Sequence, residues 1–177
     1  NLRMNLITKE NAREGSRDWQ LTRMKLDKAE GFRSPVIEGY CSRQSVKAGE
    51  SLDIFVSTKP AAQFKIEIFR TGYYDGRGAR LMTELGPFEG KEQPVPEIGV
   101  KRLRECKWEK TTSITIPQDW VSGVYLGRLT TLPKSTDDNA GQSAGVPEPV
   151  FGGVAISRGR VYFASTDSTP SGRTNCQ

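Results

Sequence analysis

The side chains best suited to molecular recognition lie in one glycine-rich bend, where Tyr73, Tyr74, Arg77 and Arg80 fall within eight residues of one another. Two amphipathic rings and two guanidinium groups are typical of binding hot spots, so these four residues are the candidate contacts for a ligand or a partner. The same glycines also suit a tight turn with positive φ angles, and this structural alternative stays open. No Gly-Lys-Ser/Thr motif follows the bend, so a phosphate-binding P-loop is not supported.

The chain contains no histidine, which removes most nucleophilic and metal-assisted chemistry from this sequence. A Ser-His-Asp or Cys-His nucleophile pair and a His-based zinc or iron site are excluded. The Gly-x-Ser-x-Gly pattern at 141–145 has neither a preceding strand nor a histidine, and Asp137, Asn139 and Glu148 match only part of a calcium-loop template. We therefore assign no catalytic, cofactor-binding or metal-binding residue within this chain.

The three cysteines, Cys41, Cys106 and Cys176, are widely spaced, and none forms a Cys-x-x-Cys pair. A structural zinc site is therefore not supported. The odd count favours reduced thiols over a Cys41–Cys106 disulfide, and a free cysteine in a strand usually acts as a small core residue.

Basic residues are concentrated between positions 98 and 110, in a chain whose net charge is +5. The stretch holds five cations and two anions: Lys101, Arg102, Arg104, Lys107 and Lys110, with Glu105 and Glu109. A nucleic-acid surface needs aromatic side chains between such cations, and Trp108 is the single aromatic residue in this stretch. The pattern favours a solvated loop or a charge-protected edge strand, and a nucleic-acid partner is disfavoured.

Short strands must position these residues, and the clearest runs from Phe64 to Ile68, where apolar and charged residues alternate. A period of two is typical of antiparallel strands with one buried face. Further strands are predicted at 36–41, 52–56, 113–116 and 124–130, and glycine and proline make 86–99 an irregular connection. Without amphipathic helices between strands, the pattern predicts an all-β fold, an antiparallel β-sandwich. The predicted core consists of Leu52, Ile54, Val56, Phe64, Ile66, Ile68, Ile114, Ile116, Val124 and Leu126.

Three regions are predicted along the chain. Residues 1–35 form an extended lead-in that has room for a strand at 19–26, and residues 36–133 form the sandwich domain. Asp119 and Trp120 are expected to make a structural corner of that domain. Residues 134–177 form an irregular Gly/Ser/Pro-rich tail, in which 154–156 or 161–164 could supply one weak closing strand beside 124–130.

No apolar run approaches the roughly 18–20 residues of a membrane span, and no secretory signal opens the sequence. A cytoplasmic protein is therefore expected. Because the chain starts at Asn1 rather than Met, we expect an upstream segment to be missing.

Three groups of residues, in order along the chain, resemble the signatures of one known family. The groups are Ile37–Ser42 with Ser45–Glu50 and Val56–Thr58, then Ile66–Tyr74 with Gly78–Leu81, then Ile116–Trp120 with Ser122–Leu126. Through them, residues 11–133 resemble the N,N-dimethylformamidase large (beta) subunit and its uncharacterised relatives. Asp75 replaces a glycine that is frequent in the family, and the tail replaces an expected β-rich strand after Thr130.

The resemblance implies an N-terminal immunoglobulin-like or fibronectin-like β-sandwich in a much longer protein. It also implies a downstream α/β catalytic domain, in which iron held by two tyrosines and a glutamate hydrolyses the amide to dimethylamine and formate. No position here matches those ligands, so no catalytic residue or cofactor is carried over.

The chain is therefore expected to be a non-catalytic module that is inactive alone. Its expected partners are the downstream catalytic domain or other subunits, and no association with a membrane is expected. A truncated or frame-disrupted product would explain the tail. The alternative is an independent module that binds a ligand, glycan or nucleic acid through Tyr73, Tyr74, Arg77 and the basic 101–110 stretch.

Overall fold

The computed structural model describes residues 5–20, 34, 36–132, 149–157 and 160–164. One α-helix, α1 (Leu6–Asn11), and eight strands are assigned within these ranges. The strands are β1 (Ile37–Cys41), β2 (Ser51–Thr58), β3 (Gln63–Thr71), β4 (Ala79–Glu89), β5 (Thr112–Thr115), β6 (Val124–Thr131), β7 (Pro149–Ser157) and β8 (Arg160–Ala164). Short 3₁₀ turns lie at Tyr74–Gly76 and Val100–Arg102.

The strands form two antiparallel sheets. A three-stranded sheet has the order β1-β2-β5, and a five-stranded sheet has the order β4-β3-β6-β7-β8. Buried side chains from both sheets meet in one apolar core, because each alternating strand turns its apolar face toward the other sheet. The predicted all-β sandwich is confirmed, while its immunoglobulin-like subtype stays a prediction.

The predicted core is correct for β2 and β3 but wrong for β6. Seven of the ten predicted residues are buried (Leu52, Ile54, Val56, Phe64, Ile66, Ile68 and Ile116), and Ile114 is partly buried against them. Val124 is 40% exposed and Leu126 is only half-buried. Leu129 pairs with Ile66, and Tyr125 pairs with Arg70, so the register of β6 turns Tyr125 and Leu129 inward instead. Both faces of this strand carry apolar residues, and the pairing with β3 decides which face is buried.

β4 runs through a segment that was predicted to be irregular. It extends to Glu89, across Gly86 and Pro87. β4 lies at the edge of its sheet, where a proline breaks no ladder on its outer side. Two register shifts in the pairing with β3 absorb the irregularity.

The lead-in contains α1, which the sequence analysis did not predict. Asn5 caps this helix, because its side-chain oxygen accepts a hydrogen bond from the Thr8 N–H at 2.8 Å. Ser16 then forms a β-bridge with Ala79, so the lead-in is tied to the start of β4. The strand proposed at 19–26 falls mostly on residues that lie outside the described ranges.

The described part of the tail continues the larger sheet. β7 contains 154–156 and pairs with β6, and β8 adds a second strand where one was expected. None of the helices in the described ranges is long and apolar enough to cross a membrane.

Cys41 is a free thiol, so the alternative Cys41–Cys106 disulfide does not form. Cys106 takes part in a disulfide, which corrects the expectation of a reduced thiol at that position. Cys176 lies outside the described residues.

Candidate functional site

The bend that carries the four candidate contacts joins β3 to β4 and is closed by its own backbone. The Gly72 N–H donates to the Gly78 carbonyl at 3.0 Å. Gly76 and Gly78 have positive φ angles of 76° and 88°, as the tight-turn interpretation predicts. Tyr74 and Asp75 also lie in the left-handed region, with φ angles of 40° and 54°, which strains residues that carry a Cβ.

The bend divides the four candidate contacts into two pairs. Tyr73 is 69% exposed and Arg77 is also exposed, whereas Tyr74 is fully buried and the Arg80 side chain is mostly buried. Trp19 lies against the bend and donates its indole N–H to the Arg77 carbonyl at 2.9 Å. Of the four candidates, Tyr73 and Arg77 are the two that a ligand can reach.

Tyr74 and Arg80 belong to a buried polar cluster with Glu10 and Arg70, here called the Glu10 cluster. Glu10 Oε1 accepts hydrogen bonds from Arg80 Nε at 2.7 Å and from the Tyr74 hydroxyl at 3.0 Å, and Arg80 Nη2 lies 2.6 Å from the same oxygen. Arg70 Nη1 donates to the Tyr74 hydroxyl at 2.9 Å. Glu10 and Arg70 are each only 3% exposed, and buried charges are stable when they are paired and hydrogen-bonded in this way. The cluster therefore fastens α1 to the bend and to β3.

The protonation states of the cluster follow from these contacts. Burial by itself raises the pKa of Glu10, but the hydrogen bonds from Arg80 and Tyr74, with the charges of Arg80 and Arg13, bring the pKa below its ordinary 4.5. Burial raises the pKa of Tyr74, against the opposing effect of Arg70. At neutral pH the cluster thus holds an ionised carboxylate and a neutral phenol.

Sequence reasoning missed Glu10 and Arg70, although each left a signal. Asn5 and Thr8 have the spacing of a helix N-cap, which would have placed Glu10 on a helix. Arg70 occupies the next alternate position after Ile68 on an otherwise apolar strand face. A charged residue in line with a buried apolar face indicates a buried partner of opposite charge, because a charged side chain is rarely buried without one.

The Glu10 cluster joins a tyrosine to a glutamate, and these are the residue types of the iron site that the family resemblance implies. The guanidinium groups of Arg70 and Arg80 already bind the hydroxyl and carboxylate oxygens. An iron cation there would lie beside two buried positive charges, and repulsion in such surroundings is strong. The residues present do not fit an iron ion, and we assign no metal chemistry to the cluster.

The basic stretch lies in the loop that joins β4 to β5, and no strand is assigned to its described residues. Trp108 is only 8% exposed, packs against Tyr40 at a centroid distance of 5.3 Å and donates its indole N–H to the Pro94 carbonyl. Because its ring is buried, Trp108 cannot stack on a base. The geometry matches the solvated-loop interpretation rather than a nucleic-acid surface.

An apolar cavity of about 40 Å³ lies between the sheets and is lined by Cys41, Ile68 and Ile114 among others. Trp120 borders it and stacks on Tyr125 at 4.8 Å, so the predicted corner residue packs at this edge of the core. Burial raises the pKa of the Cys41 thiol well above its ordinary value, so this cysteine is a poor nucleophile. The cavity walls offer packing surface rather than charged groups.

The Gly-x-Ser-x-Gly pattern and the partial calcium-loop template, at 137–148, lie outside the described residues. Within the described ranges, no group of three or more His, Cys, Asp or Glu side chains is placed to hold a metal ion.

Residues 65–151 match the family described as N,N-dimethylformamidase beta subunit-like, C-terminal. No curated protein and no solved structure matches the chain. The match starts inside β3, covers β4, β5 and β6, and ends inside β7. It contains the second and third residue groups on which the family resemblance was based, and the predicted family is confirmed. Through these residues, just under half of the chain, the match supports the assignment to the N,N-dimethylformamidase beta subunit-like family.

Proposed function

We propose that this chain is a non-catalytic β-sandwich module of an N,N-dimethylformamidase-like amidohydrolase large subunit. In the complete enzyme it packs against an α/β catalytic domain or another subunit, and the iron of that enzyme lies outside this chain. The family description refers to a C-terminal part, so the position of the module ahead of the catalytic domain is part of the proposal. A cytoplasmic location is part of it too.

One observation supports this proposal most strongly: the family-specific residues coincide with sandwich strands. The charged side chains of the matched strands are engaged in structural contacts. Arg128 donates to Glu67 at 2.8 Å, Lys65 donates to Glu84 at 2.8 Å, and Arg80 is held by Glu10. Groups committed to such pairs serve the stability of the sandwich rather than proton transfer.

The alternative, an independent binding module, has less support. It needs a cooperating surface formed by Tyr73, Tyr74 and Arg77, and the ring of Tyr74 is buried in the Glu10 cluster. Of the candidate contacts on the bend, only Tyr73 and Arg77 remain exposed, which is small for a specific site.

The genomic sequence on both sides of this coding segment tests the proposal. We expect an adjoining or shifted reading frame that encodes an α/β domain. The purified chain alone should release no dimethylamine from N,N-dimethylformamide above a heat-killed control, and it should not retain stoichiometric iron. A locus without such a frame, or turnover by the chain alone, would overturn the proposal.

A further inference from the structure

The helix α1 is attached to the sandwich by a charged side chain rather than by an apolar face. Glu10 is the only buried residue of this helix, whereas Leu6 is 71% exposed and Ile7 is 48% exposed. A surface helix normally packs an apolar stripe against the core, but α1 turns its large apolar side chains to solvent and inserts one carboxylate. Elements with few buried apolar contacts are the ones that detach locally from a folded protein.

The pocket that receives the Glu10 carboxylate has the chemistry of a carboxylate receptor. The Arg80 guanidinium contacts Oε1 at 2.6 and 2.7 Å, and the Tyr74 hydroxyl donates to the same oxygen at 3.0 Å. Arg80 lies on β4 and Tyr74 on the bend, so the sandwich supplies the donors and α1 supplies the acceptor. Charge-assisted hydrogen bonds of this kind are the strong ones, and arginine is the side chain best suited to carboxylates.

Arg70 adds a second buried positive charge to the pocket. It is 3% exposed, and it donates to the Tyr74 hydroxyl that also binds Glu10. Its other acceptors among the described residues are neutral as well: Asn11 Oδ1 and the carbonyls of Thr71, Val121 and Ser122. If α1 leaves, the two guanidinium groups lose the carboxylate that balances them. A buried charge without its partner is costly, so the emptied pocket favours the entry of another anion.

We propose that Arg80, Tyr74 and Arg70 form a carboxylate-binding site, that Glu10 occupies this site as an internal ligand, and that a carboxylate from outside replaces Glu10 when α1 detaches. With α1 in place, Tyr74 is buried and Arg80 is mostly buried, so the site is closed to other ligands. The tether gives Glu10 an effective concentration on the order of millimolar, and an external carboxylate must exceed it. The inference is independent of the place of the sandwich in a larger enzyme.

Chemical rescue of Glu10→Ala tests the site, because this substitution removes a group of the size of acetate. The melting temperature of the full chain is measured at neutral pH in sodium acetate and in sodium chloride of equal concentration. At roughly ten times its Kd, acetate should raise the melting temperature of Glu10→Ala by about 3–6 °C relative to chloride. Glu14→Ala, which removes an exposed carboxylate from the same segment, is the matched control. Its response to acetate should equal that of the wild type.

The source of the carboxylate is distinguished by a second probe, a synthetic peptide of residues 5–16. Rescue of Glu10→Ala by acetate alone supports a small carboxylate as the ligand. Rescue by the peptide at far lower concentration supports an acidic side chain of a polypeptide, because the peptide adds the contacts of α1. Glu10→Gln keeps the pocket filled and should gain nothing from either probe.

The wild-type chain provides a measurement that does not depend on the folding of a variant. Acetate that binds the open state should increase trypsin cleavage after Lys9 and Arg13 by roughly tenfold at ten times its Kd, relative to cleavage of the free peptide. Equal melting curves of Glu10→Ala in acetate and chloride would overturn the inference. A gain of the same size in Glu14→Ala would do so too, since it would be a general salt effect. If Glu10→Ala does not fold, an unchanged cleavage rate in the wild type overturns the inference.

Discussion

Replacing Glu10 by Gln should weaken the attachment of α1 to the sandwich, because the shape of the side chain is kept while its charge is lost. Arg80 loses its counter-charge, which it now contacts at 2.6 and 2.7 Å. Removing one partner of a buried ion pair costs about 3–5 kcal/mol. Since the Arg80 side chain is 20% exposed and Gln still accepts a hydrogen bond, we expect a loss of about 2–3 kcal/mol. Urea denaturation followed by circular dichroism measures it.

The pH dependence of this loss has a defined sign. The pKa of Glu10 is lower in the folded chain than the ordinary 4.5. The contribution of its charge to the free energy of unfolding is therefore complete above the ordinary pKa, and it declines as the pH falls through the pKa of the folded chain. The difference in the free energy of unfolding between wild type and Glu10→Gln should therefore become smaller in acid. Glu14→Gln, at an exposed carboxylate nearby, is the control and should cost less than about 0.5 kcal/mol. Equal losses in the two variants, or a gap that persists unchanged in acid, would refute the reasoning.

Three further outcomes follow from the core. Ile66→Ala should lower the free energy of unfolding by about 2–5 kcal/mol, because this side chain is 2% exposed. Leu126→Ala, at a half-buried position, should lower it by less than about 1.5 kcal/mol. Equal losses for the two variants in urea denaturation would contradict the register of β6. Trp120→Ala should cost about 1–3 kcal/mol, since its ring is half-buried and stacks on Tyr125 at 4.8 Å; an unchanged melting temperature would contradict a packing role. Because burial raises the pKa of the Cys41 thiol, iodoacetamide should alkylate Cys41 far more slowly in the folded than in the urea-unfolded chain at about pH 8. Mass spectrometry measures the alkylation rate, and equal rates in the two states would contradict the burial of Cys41.

The strands and most of the core could be predicted because their signals are local. Alternation from Phe64 to Ile68 places one residue type on each face, and the structure buries the predicted face. In β6 both faces are apolar, so the sequence holds no local preference. The pairing of Leu129 with Ile66 decides the outcome, and such a pairing is a property of the assembled sheet.

The candidate site was predicted less well because its contacts are not local. Composition marked the bend but could not tell which of the adjacent residues Tyr73 and Tyr74 turns inward. The deciding partner, Glu10, is 64 residues before Tyr74 and 70 before Arg80. In the loop between β4 and β5, composition marked the cations at 98–110, while the exposure of Val100 depends on how the base of the loop is anchored to the sandwich through Gln93.

Size-exclusion chromatography with light scattering, on this chain mixed with the α/β polypeptide that we propose is encoded at its locus, tests most directly whether the sandwich is a docking module. We expect one species at the summed mass, with release of dimethylamine from N,N-dimethylformamide confined to fractions that contain the α/β polypeptide. Two species that each elute at their own mass would contradict a docking role, and so would dimethylamine release by fractions that contain this chain alone.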